Sequence, residues 1–148
     1  MAPAALVPSG YSGTPLVAKL GMKGGMTAAF VALPAPLEAL ATAVEFAAVD
    51  RPNDWAGIAG ALRKYDFIHA FTRQHVEIAE SLGDLQEAMR ADGMIWVSWP
   101  KKASRVATDV TEDVIRAEAL ALDLVDVKVA AIDATWAALK FVRRLRDR

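Results

Sequence analysis

Six short apolar runs constrain this chain more than any other feature. They are "MTAAFVAL" (Met26–Leu33), "VEFAAVD" (Val44–Asp50), "FIHAFT" (Phe67–Thr72), the stretch Met94–Trp99, "VDVKVAAI" (Val125–Ile132) and "ALKFVRR" (Ala138–Arg144). Runs this short, bounded by glycine, proline and acids, read as strands, and their near-continuous apolar character suits strands covered on both faces. The second is the weakest, because alanine is a poor strand former. Segments of helical pattern separate the first five. That alternation demands a mostly parallel sheet with helices on both sides. Only the five residues Asp133–Ala137, with a turn at Asp133–Thr135, part the last two runs, too few for a crossover, so they form an antiparallel hairpin at one edge.

The helical segments carry their own punctuation. Thr14 precedes Pro15, and Gly21 stops a short helix. A second short helix fits Leu37–Ala43. Asp54 caps a helix to about Lys64, with Trp55, Ile58 and Leu62 on one face. Gln74–Ala91 is helical in pattern, with a break expected at Gly83-Asp84. Asp109 and Glu112 make a capping-box-like start for a helix to about Leu122. Residues 1–10 read as a flexible tail, and 11–148 as a single α/β domain without repeats or linkers.

Composition excludes several classes. There is no cysteine, hence no disulfide, zinc-thiolate site, Fe–S cluster or cysteine nucleophile. The net charge of -1 provides no global field for nucleic acid, and none is expected as a partner. No apolar run approaches the ~20 residues of a membrane span, and the N-terminal residues lack a basic n-region. A cytoplasmic protein is the expectation. Charge is uneven: Asp109–Asp126 holds six acids against Arg116, and Lys140–Arg148 holds five bases against Asp147. Both read as solvated faces.

Three stretches carry a family resemblance. "YSGTPLVAKLGMK" (Tyr11–Lys23), "DGMIWVSWPKKASRVATDVTEDVIR" (Asp92–Arg116) and "LVDVKVAAIDATWAALKFVRR" (Leu124–Arg144) resemble the DUF3052 family of bacterial proteins, along nearly the whole chain. That family has no established function, so the resemblance implies no activity. In order of elements the chain is also distantly similar to Rossmann-like S-adenosylmethionine methyltransferases. This likeness implies a three-layer α/β fold, a six-stranded sheet in the order 2-1-3-4-6-5, and strand six antiparallel to its neighbours. It also implies a role for Asp50, at the end of the second strand, where those enzymes carry an acid for the cofactor's ribose. The cofactor loop departs from the pattern. Where a glycine-rich turn belongs, this chain reads "LPAPLEAL"; Pro34 and Pro36 have no N–H to offer and block close approach. No cofactor is therefore expected, and any affinity for S-adenosylmethionine should be no tighter than roughly millimolar, about -4 kcal/mol.

Ligands of open α/β sheets sit beyond the carboxyl ends of the strands. The loops there offer Arg73 and His75 after the third strand, and Ser98, Trp99, Lys101, Lys102 and Ser104 around the end of the fourth. Cations with hydroxyls suit a phosphate or carboxylate; alternatively they cover a strand end with their heads in water. Trp96 and Trp99 point to opposite faces. His69 sits mid-strand as a core histidine. Glu77 and Glu80 read as helix surface, and Trp136 as a core cap or an exposed anchor. Two histidines six apart without an acidic cluster make no metal site, and Ser98 lacks a nucleophile-elbow context. These residues support a non-enzymatic, methyltransferase-like domain that binds a small anionic ligand or an acidic partner at this rim. The rival reading is a transferase, S-adenosylmethionine-dependent or not, with a rebuilt cofactor loop. Oligomeric state is not legible.

Overall fold

The computed structural model describes residues 15–145; the expected tail at 1–10 and the Thr14 cap lie outside them. Six strands form one sheet: β1 (Thr27–Val31), β2 (Ala48–Asp50), β3 (Tyr65–Phe71), β4 (Met89–Pro100), β5 (Leu124–Ala131) and β6 (Trp136–Arg143). Their order is β2-β1-β3-β4-β6-β5, as expected. β1 to β4 run parallel, and β6 is antiparallel to both β4 and β5. No helix among the described residues is long and apolar enough to cross a membrane.

Strand alternation splits the core into two layers. One face of the sheet, with Ala29, Val31, Ile68 and Val97, packs under Ile78, Leu82 and Leu85 of α2 (His75–Ala88) and Ile115 of α3 (Glu112–Leu120). The other face, with Phe30, Phe67, Phe71 and Trp96, is covered by α1 (Leu16–Leu20) and by a 3-10 helix at Ala35–Thr42. Gly21 ends α1 at φ 74, in the left-handed region that suits glycine.

Several boundaries differ from the sequence reading. Of Val44–Asp50, only Ala48–Asp50 is a strand. The residues before it make isolated bonds, such as Glu45 C=O accepting from Gly25 N–H, and Phe46 packs edge-on against Phe30. The helix after Asp54 is a single 3-10 turn, Trp55–Ile58, capped by the Asp54 carboxylate accepting from Gly57 N–H at 3.0 Å. Gly60 at φ 90 leads the chain away, and Leu62 is 71% exposed instead of joining that face. α2 runs unbroken through Gly83, whose bare Cα faces Leu122.

The fourth strand begins at Met89, where a helix was expected to continue. Tyr65 pairs with Met89 and Phe67 with Met94, so β4 loops out extra residues between these pairs. The α3 cap is Thr111, whose hydroxyl accepts from Val114 N–H; Asp109 caps a different helix, accepting from His75 N–H at 2.7 Å.

Candidate functional site

The strand order reverses at β1, which continues to β2 on one side and borders β3 on the other. Such a switch point leaves a crevice beyond the strand ends. Two adjoining cavities occupy it. One, of ≈ 540 Å³, is lined by residues including Phe30, Ala32, Glu38, Arg51 and Asn53. The other, of ≈ 370 Å³, shares Ala32 and Asn53 and adds Thr72, Arg73, Glu77 and Trp136.

Ala32 is the first residue beyond β1, and its φ is 56. An alanine there carries strain that glycine would avoid, and such strain gathers at functional sites. Its N–H donates to Pro52 C=O at 2.9 Å, tying the loop after β1 to the loop after β2. Glu38 pairs with Arg51 across the first cavity. In the second, the Glu77 carboxylate accepts from the Thr72 hydroxyl at 2.6 Å, so Glu77 belongs to the crevice wall and not simply to a helix surface. Arg73 forms no ion pair among the described residues and is exposed beside the cavity.

A third cavity, of ≈ 500 Å³, lies between the end of β4 and the start of α3. Trp99, Pro100, Lys102, Val106, Thr108, Val110, Thr111 and Glu112 line it. Trp99 is 8% exposed. The helix-start acids do not pair with the lysines: Asp109 caps α2, and Glu112 bonds Arg116.

The expected site residues are thus distributed, not gathered. Arg73 opens on the switch-point crevice, Trp99 and Lys102 on the third cavity. Lys101 is half-buried and its N–H donates to Thr135 C=O. His75 Nε2 lies 2.7 Å from Glu118, tying α2 to α3. The Ser104 hydroxyl donates to Lys101 C=O in a tight turn. Ser98 is fully buried on the opposite face, 2.7 Å from His69 Nε2, so it does not reach the rim. Burial holds the His69 pKa down to about 3. Asp50 is absent from the crevice lining; its carboxylate accepts from the Tyr65 hydroxyl at 2.6 Å and pairs with Lys64 at 2.9 Å. These partners, the hydroxyl first, hold its pKa below the usual carboxylate value.

Sequence reasoning missed Ala32, Glu38, Arg51 and Asn53. It weighed the loops leaving strands one, three and four; the polar turn "DRPND" (Asp50–Asp54), directly behind a strand, was the available signal.

No protein-family model matches the chain, and no curated protein does. Solved structures do. A SAM-dependent methyltransferase from Aquifex aeolicus aligns over 85% of this chain and 86% of its own, at 14% identity and a TM-score of 0.62. The magnesium protoporphyrin IX methyltransferase from Synechocystis PCC 6803, solved with bound SAM, aligns over 87% of this chain and 74% of its own, at 15% identity and a TM-score of 0.60. The [4+2]-cyclase SpnF aligns over 86% and 79%, at 10% identity and the same TM-score of 0.60. At such identities the likeness fixes the architecture alone: this chain has the fold of the SAM-dependent methyltransferases.

Proposed function

We propose that this protein is a transferase of the methyltransferase fold with a rebuilt cofactor loop. One observation carries the reading: the strained Ala32, at the switch point, walls a crevice of the size that small-molecule sites occupy. S-adenosylmethionine, the cofactor of neighbours sharing this fold, fits the crevice in place and size. It does not fit the donor set that a glycine-rich loop supplies. Pro34 and Pro36 have no N–H, Ala32 N–H is spent on Pro52, and Leu37 N–H on Pro34. Asp50 is held by Tyr65 and Lys64. Side chains are left to hold the ligand, with Arg73 the cation available for its carboxylate. No reaction step is assigned.

Calorimetry with S-adenosylmethionine and its demethylated product tests this. Saturable binding is expected, no tighter than roughly millimolar, and Arg73→Ala should weaken it severalfold. Absence of binding at tenfold higher concentration would remove the cofactor from the reading. A micromolar Kd would refute the argument from the prolines.

A second, non-enzymatic reading uses the third cavity. Its support is Lys102, which lines a hollow walled by Trp99, Pro100, Val106 and Val110 together with Thr108, Thr111 and the Arg116-paired Glu112, and which has no acidic partner among the described residues. A small anionic ligand with an apolar body, or an acidic partner's side chain, suits that lining. The variant with alanine at both Lys101 and Lys102 should lose binding of such an anion while its Tm falls by no more than roughly 4–8 °C, because unpaired surface lysines contribute ~0–1 kcal/mol each. A thermal-shift screen with aromatic carboxylates and sugar phosphates checks it; a ligand that stabilises both proteins equally sinks the idea.

A further inference from the structure

We propose that Lys140 is a site of covalent acylation by activated acyl donors such as acyl phosphates. Lys140 lies in β6, between β4 and the edge strand β5, and is half-buried. Its cross-strand neighbour in β5 is Lys128. Like charges directly opposite one another in an antiparallel pair are destabilising. Among the described residues neither lysine has an acidic partner. Asp126, two residues from Lys128, is turned to the other face, where Arg116 Nε donates to it at 3.0 Å.

The two lysines differ in what holds them. Lys128 Nζ donates to Lys19 C=O at 3.3 Å, at the carboxyl end of α1, where a cation is favoured. The next carbonyl of that helix, on Leu20, is taken by Trp96 Nε1 at 2.9 Å, and Trp96 is the β4 neighbour of Lys140. Both carbonyls thus already have a donor, and the Lys140 amine has no hydrogen-bond acceptor among the described residues. Of the described charged groups packed against it, Lys128 bears on it. Burial first, then the Lys128 ammonium, pull its pKa below the usual lysine value. A partly desolvated lysine beside another cation holds a larger share of its amine neutral, and so nucleophilic, than an ordinary lysine does at the same pH.

The reaction balances without a redox partner. The neutral amine's lone pair forms the N–C bond to the acyl carbon. The C–O bond to phosphate breaks, phosphate leaves with that electron pair, and the nitrogen sheds a proton to water. The resulting amide is uncharged, so modification abolishes the Lys128–Lys140 repulsion. It leaves untouched the bond from Lys128 to α1.

The full-length protein incubated with acetyl phosphate at pH 8, followed by peptide mass spectrometry, provides the test. Lys140 should acquire acetyl groups at least threefold faster than the exposed Lys23 and Lys102. Lys128→Gln should slow Lys140 measurably while leaving it faster than those two, because burial remains, and Lys128→Arg, which keeps the charge, should not slow it. The rate against pH in the unaltered protein gives a readout independent of any variant: the midpoint for Lys140 should lie below that for Lys23. Labelling of Lys140 no faster than Lys23, coincident midpoints, or a Lys128→Gln rate equal to the native one would each overturn the proposal.

Discussion

Acid should unfold this protein through one buried histidine. His69 is fully buried among Phe30, Phe67 and Phe71, with Phe71 stacked at 4.2 Å. Its Nε2 meets the Ser98 hydroxyl, and its Nδ1 has no hydrogen-bond partner among the described residues. An imidazolium there would lose its hydration and gain little, which is why the folded pKa falls to about 3 from 6.5. Between those values the unfolded chain binds a proton that the folded one refuses. Stability is thus fully present above pH 6.5 and declines as pH falls, by about 1.4 kcal/mol per unit, to a total on the order of 4–5 kcal/mol near pH 3. Urea unfolding of the native protein and of His69→Gln at several pH values measures it. Above pH 7 the two stabilities should differ by a constant amount. Below 6.5 the native curve should fall toward the variant's with that extra slope. Parallel curves down to pH 4 would mean that His69 accepts its proton while folded.

Gly93→Ala should be the most disruptive substitution of a single methyl. Gly93 lies where β4 loops out its extra residues. A Cβ on it would stand 2.8 Å from Met89 Cγ, 3.0 Å from Tyr65 O and 3.1 Å from Asp66 O. The methionine can turn aside, but the two oxygens belong to the backbone of β3, the strand bordering β1 and β4. Moving them disturbs both ladders. Overpacking of this kind costs about 1–3 kcal/mol, and the upper end is expected because backbone must yield. In a domain of this size that lowers Tm by roughly 6–12 °C. Gly83→Ala is the control: the added methyl would meet only Leu122, at 3.8 Å, and alanine favours a helix interior by about 1 kcal/mol over glycine. Equal Tm values for the two variants would refute the steric account.

Legibility followed locality. The strand order was readable because alternation, right-handed crossovers and a short hairpin agreed with the order that the likeness to the methyltransferases implied. Met89–Ala91 misled, since its residues continue a helical pattern; pairing of Met89 with Tyr65, far away in sequence, decides otherwise. Asp109 shows the same limit at the level of one side chain. Its spacing to Glu112 fits a cap for α3, yet its carboxylate serves α2, a partner that only the folded chain supplies. For the candidate site, the third cavity beside Trp99 and Lys102 was foreseeable from a strand ended by proline. The switch-point crevice was not, because its signature is a backbone angle at Ala32 and an ion pair between Glu38 and Arg51. Ser98 failed as a rim residue for a simple reason: strand alternation turns it to the face opposite Trp99.

The bonds that misdirected the cap also decide how freely the rim moves. Thr108 Oγ1 donates to Arg73 C=O at 2.7 Å, Asp109 N–H donates to the same oxygen at 3.4 Å, and His75 N–H donates to Asp109. Together they staple the loop after β4 to the loop after β3. Swinging the first loop away breaks all three, at ~1 kcal/mol net for each. About 3 kcal/mol leaves a displaced loop populated in fewer than about one molecule in a hundred. The wall of the Trp99 cavity is therefore standing before any ligand arrives, and a ligand there forfeits almost no affinity to a conformational pre-equilibrium.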